Sequence, residues 1–267
     1  MQRSEDRILT THVGSLIRPD NLVDYIRPLQ AGEPYDEAGY TACLADSVAA
    51  IAREQAEHGI DVISDGEFGK LDGEQVPATV MESVCTGPIS YTGQDELERD
   101  IANFKTALAK VNVTEGFLPV AAPASVIPDR RNEYYDSDDD CLDAIGAAMA
   151  VEYKAVVDAG LLVQLDDARA AVTFDRMVPP ATMDDYRAWL NHHVEVTNRA
   201  LEGIPPEKVR YHVCWGSWPG PHVTDVPLKE IIDLILKINA GAYVIEGGNP
   251  RHEHEWEDWT AAALPDD

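Results

Sequence analysis

The chain has 267 residues, 45% of them hydrophobic, which is enough for one sizeable hydrophobic core. Its 48 acidic residues outnumber its 21 Lys and Arg residues, and the formal net charge is −27. This charge argues against sequence-independent binding to nucleic acid or to an anionic membrane, because both present negative phosphates that would be repelled.

The cysteines and the apolar runs indicate where the protein is found. Cys43, Cys85, Cys141 and Cys214 are far apart and show no disulfide-rich spacing. The first residues lack the apolar core of a signal peptide, and no apolar run approaches the roughly 18 residues of a membrane span. The sequence therefore predicts a cytoplasmic protein with reduced thiols.

Short β-rich runs alternate along the chain with amphipathic helical stretches. The predicted strands cover residues 8–13, 61–64, 117–121, 161–166, 210–214 and 242–246. The predicted helices cover residues 36–58, 96–110, 141–158, 183–202 and 228–239. Gly59 and Gly160 each stand between a predicted helix and a buried strand, which is typical of the helix-to-strand joint of parallel-sheet proteins.

Polar residues follow nearly every predicted strand, and this distribution bears on the fold class. A parallel sheet covered by helices fits either a barrel or a doubly wound sheet. A barrel draws its active site from many strand ends, whereas a doubly wound sheet concentrates its site at one switch point. The pattern favours an α/β fold with a TIM-type (β/α)8 barrel as a single domain over residues 1–267. Because only six βα units are recognisable, we expect the barrel to lack its last two units.

A His-x-Cys pair ends the fifth predicted strand. Since residues i and i+2 of a strand point to the same face, His212 and Cys214 could converge on one ion. Glu246 ends the next predicted strand, which would lie beside the pair in a parallel sheet. Such a set suits Zn²⁺, and three protein ligands with one open position is the arrangement of catalytic zinc. Taken singly, the pair also fits core packing and Glu246 also fits a helix N-cap.

Other strand ends carry candidate substrate ligands. Glu67 and Asp166 would face the barrel mouth, where a carboxylate binds an ammonium group or donates a proton if burial raises its pKa. Loop salt bridges and helix N-caps are the alternatives. Gly14 allows close backbone approach, and Ser15 could bind a carboxylate. His12 fits a fourth metal ligand, a proton shuttle or a core histidine.

Three further groups have a plain structural interpretation. Residues 251–255 contain two histidines and two glutamates, but a solvated loop is favoured for them. His192 and His193 are expected at the surface of a helix. Four tryptophans either line a flat ligand or pack in the core: Trp215, Trp218, Trp256 and Trp259.

Together these motifs resemble the cobalamin-independent methionine synthase family, specifically its C-terminal catalytic barrel and its short stand-alone relatives. The similarity runs along essentially the whole chain. Residues 10–15 resemble the Gly-Ser motif that holds the homocysteine backbone, and residues 65–67 resemble the Gly-Glu motif whose Glu contacts substrate. Residues 164–167 resemble the segment whose first Asp binds the homocysteine amine. His212 and Cys214 match the His-x-Cys zinc motif, and Glu246 matches the third zinc ligand.

The resemblance implies a cytoplasmic zinc enzyme of methionine biosynthesis. It would be similar to 5-methyltetrahydropteroyltriglutamate–homocysteine S-methyltransferase and would activate a small thiol as thiolate for methyl transfer. Glu67 and Asp166 would be catalytic, and both would bind substrate together with Gly14 and Ser15. Two alternatives stay open: a thiol alkylation like that of epoxyalkane–coenzyme M transferase, and an inactive or partner-dependent barrel fragment. The family's second zinc cysteine has no counterpart after Glu246.

Overall fold

The computed structural model describes residues 1–70, 83–126, 130–216, 224–248 and 250–264. The α-helices are α1 (Asp20–Ala31), α2 (Glu37–Glu57), α3 (Gln94–Leu108), α4 (Pro123–Val126), α5 (Asp138–Asp158), α6 (Val172–Met177), α7 (Met183–Ala200), α8 (Ile232–Ile235) and α9 (Trp256–Ala261). The strands are β1 (Val62–Ile63), β2 (Val84–Cys85), β3 (Glu115–Ala121), β4 (Arg131–Asn132), β5 (Leu162–Asp167), β6 (Val209–Val213) and β7 (Ala242–Ile245). Three-residue 3-10 turns cover Pro206–Lys208, Leu228–Glu230 and Glu253–Glu255.

Five strands form the main sheet in the order β1-β3-β5-β6-β7. The pairings β1–β3, β5–β6 and β6–β7 are parallel. The first four residues of β5 are buried, as expected for a parallel strand that is covered on both faces. Gly59 and Gly160 both adopt the left-handed conformation, with φ of 77° and 90°, and so confirm the predicted helix-to-strand joints.

The first predicted strand, residues 8–13, differs from the prediction. It contributes one parallel bridge, between Thr11 and Val62, rather than a strand. The Asp61 carboxylate accepts hydrogen bonds from the backbone N–H of Thr10 at 2.8 Å and from the Arg7 guanidinium at 2.7 Å. The Asp61 side chain thus binds a backbone N–H that a regular strand would donate to its neighbour. Residues 8–13 therefore lie alongside β1 without forming a strand.

Several other elements were not predicted. A second, two-stranded parallel sheet joins β2 to β4. The predicted helix 228–239 is instead a 3-10 turn followed by the four-residue α8. Helix α1 buries Leu22, Val23 and Ile26 at helical spacing, and it ends at Gly32 with φ of 67°. The remaining predicted helices correspond to α2, α3, α5 and α7.

The chain divides into two compact units. The first spans residues 1–81, 92–119 and 158–162, and the second spans residues 82–91, 120–157 and 163–267. In the first unit, Val62, Phe117 and Leu162 form one cluster of the core. In the second, Ala124, Leu142 and Val196 form another. The single domain over residues 1–267 stays a prediction.

Within the described ranges, no helix combines the length and hydropathy that crossing a bilayer requires.

Candidate functional site

In the second unit, the carboxyl ends of β5 and β6 bring a carboxylate and an imidazole together. Asp166 and His212 are partners in the parallel register. His212 Nδ1 lies 2.9 Å from Asp166 Oδ1, which also accepts a hydrogen bond from Gln164 Nε2 at 2.9 Å. Metal-binding histidines commonly have one ring nitrogen held by a carboxylate in this way. With Nδ1 engaged, Nε2 is the nitrogen of His212 that could coordinate a metal.

Cys214 follows β6 on the same side of the sheet as His212. Its sulfur accepts a hydrogen bond from the Gly216 N–H at 3.2 Å, and its own N–H donates to the Asp167 carbonyl at 3.0 Å. Burial raises the pKa of the Cys214 thiol. The hydrogen bond from the Gly216 N–H lowers that pKa, whereas the negative charges of Glu246 and Asp166 raise it further. The thiol is therefore protonated at neutral pH, and a bound cation would favour its ionised form.

Glu246 directly follows β7, which ends one residue earlier than the predicted strand 242–246. Its Oε1 lies 3.6 Å from Arg251 Nη2. Among the described side chains, no three of the His, Cys, Asp and Glu type form a group that could hold a metal ion. The donor types of His212, Cys214 and Glu246 fit zinc, and the acidic surroundings of Cys214 favour a cation. The zinc ligands therefore stay a prediction.

Asp167 points to the opposite face of β5 from Asp166, because side chains alternate along a strand. It is fully buried. Its Oδ2 accepts short hydrogen bonds from His193 Nε2 and the Tyr211 hydroxyl. Its Oδ1 accepts the Ala170 N–H at 2.8 Å. One carboxylate thus joins α7, β6 and the loop after β5, and it fixes the strand end that carries Asp166.

The Asp167 carboxylate is ionised despite its burial. Burial alone would raise the pKa of Asp167, but His193 lowers it through charge and hydrogen bonding, and Tyr211 and Ala170 lower it further, so the pKa is below its usual range. The prediction that His193 lies at the surface is wrong, since its side chain has 0% exposure. His193 occupies the buried face of α7 with Leu190 and Val194.

In the first unit, Glu67 occupies a left-handed backbone conformation. Its φ is 61°, and Gly66 before it has φ of 75°. Asp65 Oδ1 accepts the Glu67 N–H at 3.0 Å. A Cβ at position 66 would approach a ring carbon of Phe68 to 2.9 Å, which is a second reason for glycine there. Non-glycine residues seldom adopt positive φ, and such strain concentrates at functional sites.

Arg18 holds this turn and was not singled out from the sequence. It is buried, and its Nη2 donates to the carbonyls of Glu67 at 2.9 Å and Lys70 at 2.8 Å. The Leu16 N–H donates to the Gly66 carbonyl at 3.1 Å. An arginine three residues after the Gly14-Ser15 pair was the available signal in the sequence. The segment after Gly14 is therefore tied to the Glu67 turn.

The remaining predicted residues of the first unit are Gly14, Ser15 and His12. Gly14 has φ of 84°, where a side chain would be strained. Ser15 is exposed. His12 Nε2 lies 2.8 Å from Gln55 Oε1 and 3.1 Å from the Ser64 hydroxyl, which supports the core-histidine interpretation.

The structure thus divides the predicted site between the two units. The first unit contains the predicted substrate ligands Gly14, Ser15 and Glu67. The second contains Asp166, His212, Cys214 and Glu246.

The prediction of a solvated loop for residues 251–255 is wrong for part of that segment. His252 and Glu255 are buried, with exposures of 3% and 6%. His252 Nδ1 lies 2.9 Å from Glu255 Oε2, and the His252 ring packs 4.6 Å from that of Trp215. Trp215 is a core residue, whereas Trp256 is 63% exposed. Trp218 lies outside the described residues.

The class of protein follows from these observations. A parallel sheet with helices between its strands, and polar side chains at the carboxyl ends of those strands, defines an α/β protein of the β/α-barrel type.

No protein-family model matches the chain. Curated proteins named methionine synthase nevertheless align with most of it. The one from Saccharolobus islandicus is 26% identical over an alignment of 239 positions that covers 83% of this chain and 68% of that protein. The one from Sulfolobus acidocaldarius is 27% identical over 252 residues, with coverages of 85% and 68%.

Two solved structures share the fold. A putative vitamin-B12 independent methionine synthase from Listeria monocytogenes has a TM-score of 0.63 and 22% identity, covering 89% of this chain and 73% of that one. A B12-independent methionine synthase from a Shewanella species, in complex with selenomethionine, has a TM-score of 0.61 and 16% identity, with coverages of 88% and 72%. The predicted resemblance and the TIM-type fold class are confirmed: this chain is similar in sequence to proteins named methionine synthase and shares the fold of the B12-independent methionine synthase structures.

The Asp167 network gives a stability prediction. Replacing the buried carboxylate by an amide leaves part of its hydrogen bonding to His193, Tyr211 and Ala170 unmade, so Asp167→Asn should lower the free energy of unfolding by about 1–3 kcal/mol. Asp166→Asn is the matched control, because Asp166 is the adjacent carboxylate on the opposite, partly exposed face, and it should cost less. Urea denaturation at pH 7 measures both. Equal denaturation midpoints for Asp167→Asn and wild type would show that the Asp167 network does not stabilise the fold.

A second prediction concerns the pH dependence of stability, through Asp100. Burial raises the pKa of Asp100 to about 6, with Asp65 raising it further against the lowering effect of Arg99. The folded protein therefore holds a proton that the unfolded chain, with an Asp pKa of about 3.9, releases earlier. Stability should fall by about 1–3 kcal/mol as the pH rises from about 4 to about 7. Asp100→Asn should flatten this decline in urea titrations, and an unchanged profile would refute the assignment.

Proposed function

We propose that this chain is a zinc-dependent methyltransferase that alkylates a small thiol, with chemistry like that of methionine synthesis. The observation that carries the proposal is the 2.9 Å contact between Asp166 and His212 Nδ1, with Cys214 two residues further along. The relatives named methionine synthase support the general class of reaction. The thiol acceptor would be similar to homocysteine.

His212, Cys214 and Glu246 are the proposed zinc ligands. Imidazole, thiolate and carboxylate are the three zinc-binding groups of proteins, and such a set leaves a fourth position for substrate. When bound, zinc would stabilise the substrate thiol as its thiolate, which is the nucleophilic form.

The chain's own residues would orient the ligands and the substrate. Asp166 would accept the Nδ1–H of His212 and so direct Nε2 toward the metal position. The same carboxylate, 27% exposed, could also accept a substrate ammonium group. Glu67, Gly14 and Ser15 would bind the amino-acid part of the substrate. In the transfer, the thiolate sulfur forms a bond to the methyl carbon while the bond from that carbon to the donor breaks and the donor keeps the electron pair.

We also place the protein in the cytoplasm, with small molecules as its partners. The four cysteines form no disulfide in the structure, and this supports a reducing compartment.

Zinc affinity measured on single-residue variants tests the proposal. Wild type should bind one zinc ion per chain, and Cys214→Ser should lose it. Asp166→Asn should weaken zinc binding by about 10–100-fold, the usual effect of removing a partner of a metal-bound histidine. The matched control is Cys43→Ser, which removes a thiol on α2 and should leave zinc binding unchanged. If Cys214→Ser retained both its zinc and its thiol alkylation, the proposal would be wrong.

A further inference from the structure

A cavity of about 250 Å³ opens in the second unit between β7 and the segment around α9. This is slightly smaller than the roughly 300–1,000 Å³ of sites for drug-sized ligands, so it suits a small molecule. Its walls include three aromatic rings and three carboxylates: Tyr243, Trp256, Trp259, Glu246, Glu253 and Glu255.

The aromatic walls present rings rather than polar groups. The Tyr243 hydroxyl donates to the Ile238 carbonyl at 2.8 Å, so the polar end of that side chain is already used within its own unit. Trp256 is 63% exposed although it lies in the cavity wall. The exposed Trp256 therefore offers an apolar ring face that a ligand in the cavity could cover.

The charge of the cavity is negative. Among the described residues that line it there is no Lys or Arg, and His252 is the one basic side chain. His252 Nδ1 lies 2.9 Å from Glu255 Oε2, so that imidazole is already engaged. Arg251 lies outside the wall and approaches Glu246 at 3.6 Å, which offsets one of the three carboxylates. Glu255 is also engaged, by His252 and by the Leu228 N–H at 2.8 Å, so Glu253 and the net charge of −27 leave the cavity attractive to cations.

Aromatic faces combined with carboxylates identify the chemistry of the ligand. A metal ion would need several oxygen ligands around one point, and rings supply none. A methylated cation instead spreads its charge over carbon and is attracted by aromatic faces. We propose that this cavity binds a small methylated organic cation, of the quaternary ammonium or sulfonium class. Glu246 is shared with the proposed zinc site, so the cation would lie next to that site.

The binding can be tested separately from the proposed function by using metal-free protein. Choline is the probe, and its uncharged carbon isostere, dimethylbutanol, is the matched ligand. Both are titrated into the millimolar range and followed by ligand-observed NMR of their methyl protons. Choline should bind more tightly than the isostere by roughly 2–30-fold, the range expected for a cation held by aromatic rings. Equal binding of the two, or no binding of choline, would overturn the proposal, whether or not the chain binds zinc.

Variants of the wall provide the second arm of this test. Trp259→Leu should weaken choline binding by roughly 2–30-fold and leave dimethylbutanol binding nearly unchanged. Trp256→Leu, at an exposed position where folding is not at risk, should act in the same direction. Glu253→Gln should also weaken choline, whereas Glu257→Gln, an exposed acid of α9 that does not line the cavity, should not. Unchanged choline affinity in both tryptophan variants would overturn the proposal.

Discussion

The parallel register of β5 against β6 is the constraint on which the candidate site depends. It sets Asp166 directly opposite His212, and the two side chains meet at 2.9 Å. A slip of one residue would turn every side chain of the strand to the other face. The buried Asp167 opposes such a slip, because its carboxylate is bound by His193 and Tyr211 from two neighbouring elements. Asp166 thus faces the candidate site, and its neighbour Asp167 holds the strand in register.

Excess negative charge affects both the candidate site and the neighbouring cavity. The carboxylates of Glu246 and Asp166 raise the pKa of the Cys214 thiol, which disfavours the ionised sulfur when no cation is bound. The same end of β7 contributes to a cavity with aromatic and acidic walls. Negative charge therefore favours a cation at both places, a metal ion at the proposed zinc site and an organic cation in the proposed cavity site. The acidic composition, which argues against binding to nucleic acid, thus has local consequences as well.

The features predictable from sequence were those with a local signal. Period-two placement of His212 and Cys214, and glycines between helices and strands, indicated a parallel sheet with a site at its carboxyl end. Features that depend on contacts far apart in sequence were missed. The burial of His193 requires Asp167, 26 positions earlier, and the Glu67 turn requires Arg18, 49 positions earlier. The predicted first strand was lost for the same reason, since a distant carboxylate, that of Asp61, binds its backbone donor.

We propose that an imidazole, a sulfur and a carboxylate of this chain hold one zinc ion, and X-ray absorption at the zinc edge measures these neighbours. We expect one sulfur neighbour at about 2.3 Å together with nitrogen and oxygen neighbours at about 2.0–2.2 Å. The sulfur contribution should disappear in Cys214→Ser. Zinc surrounded by oxygen and nitrogen alone in the wild-type chain, or zinc present far below one ion per chain, would contradict the account.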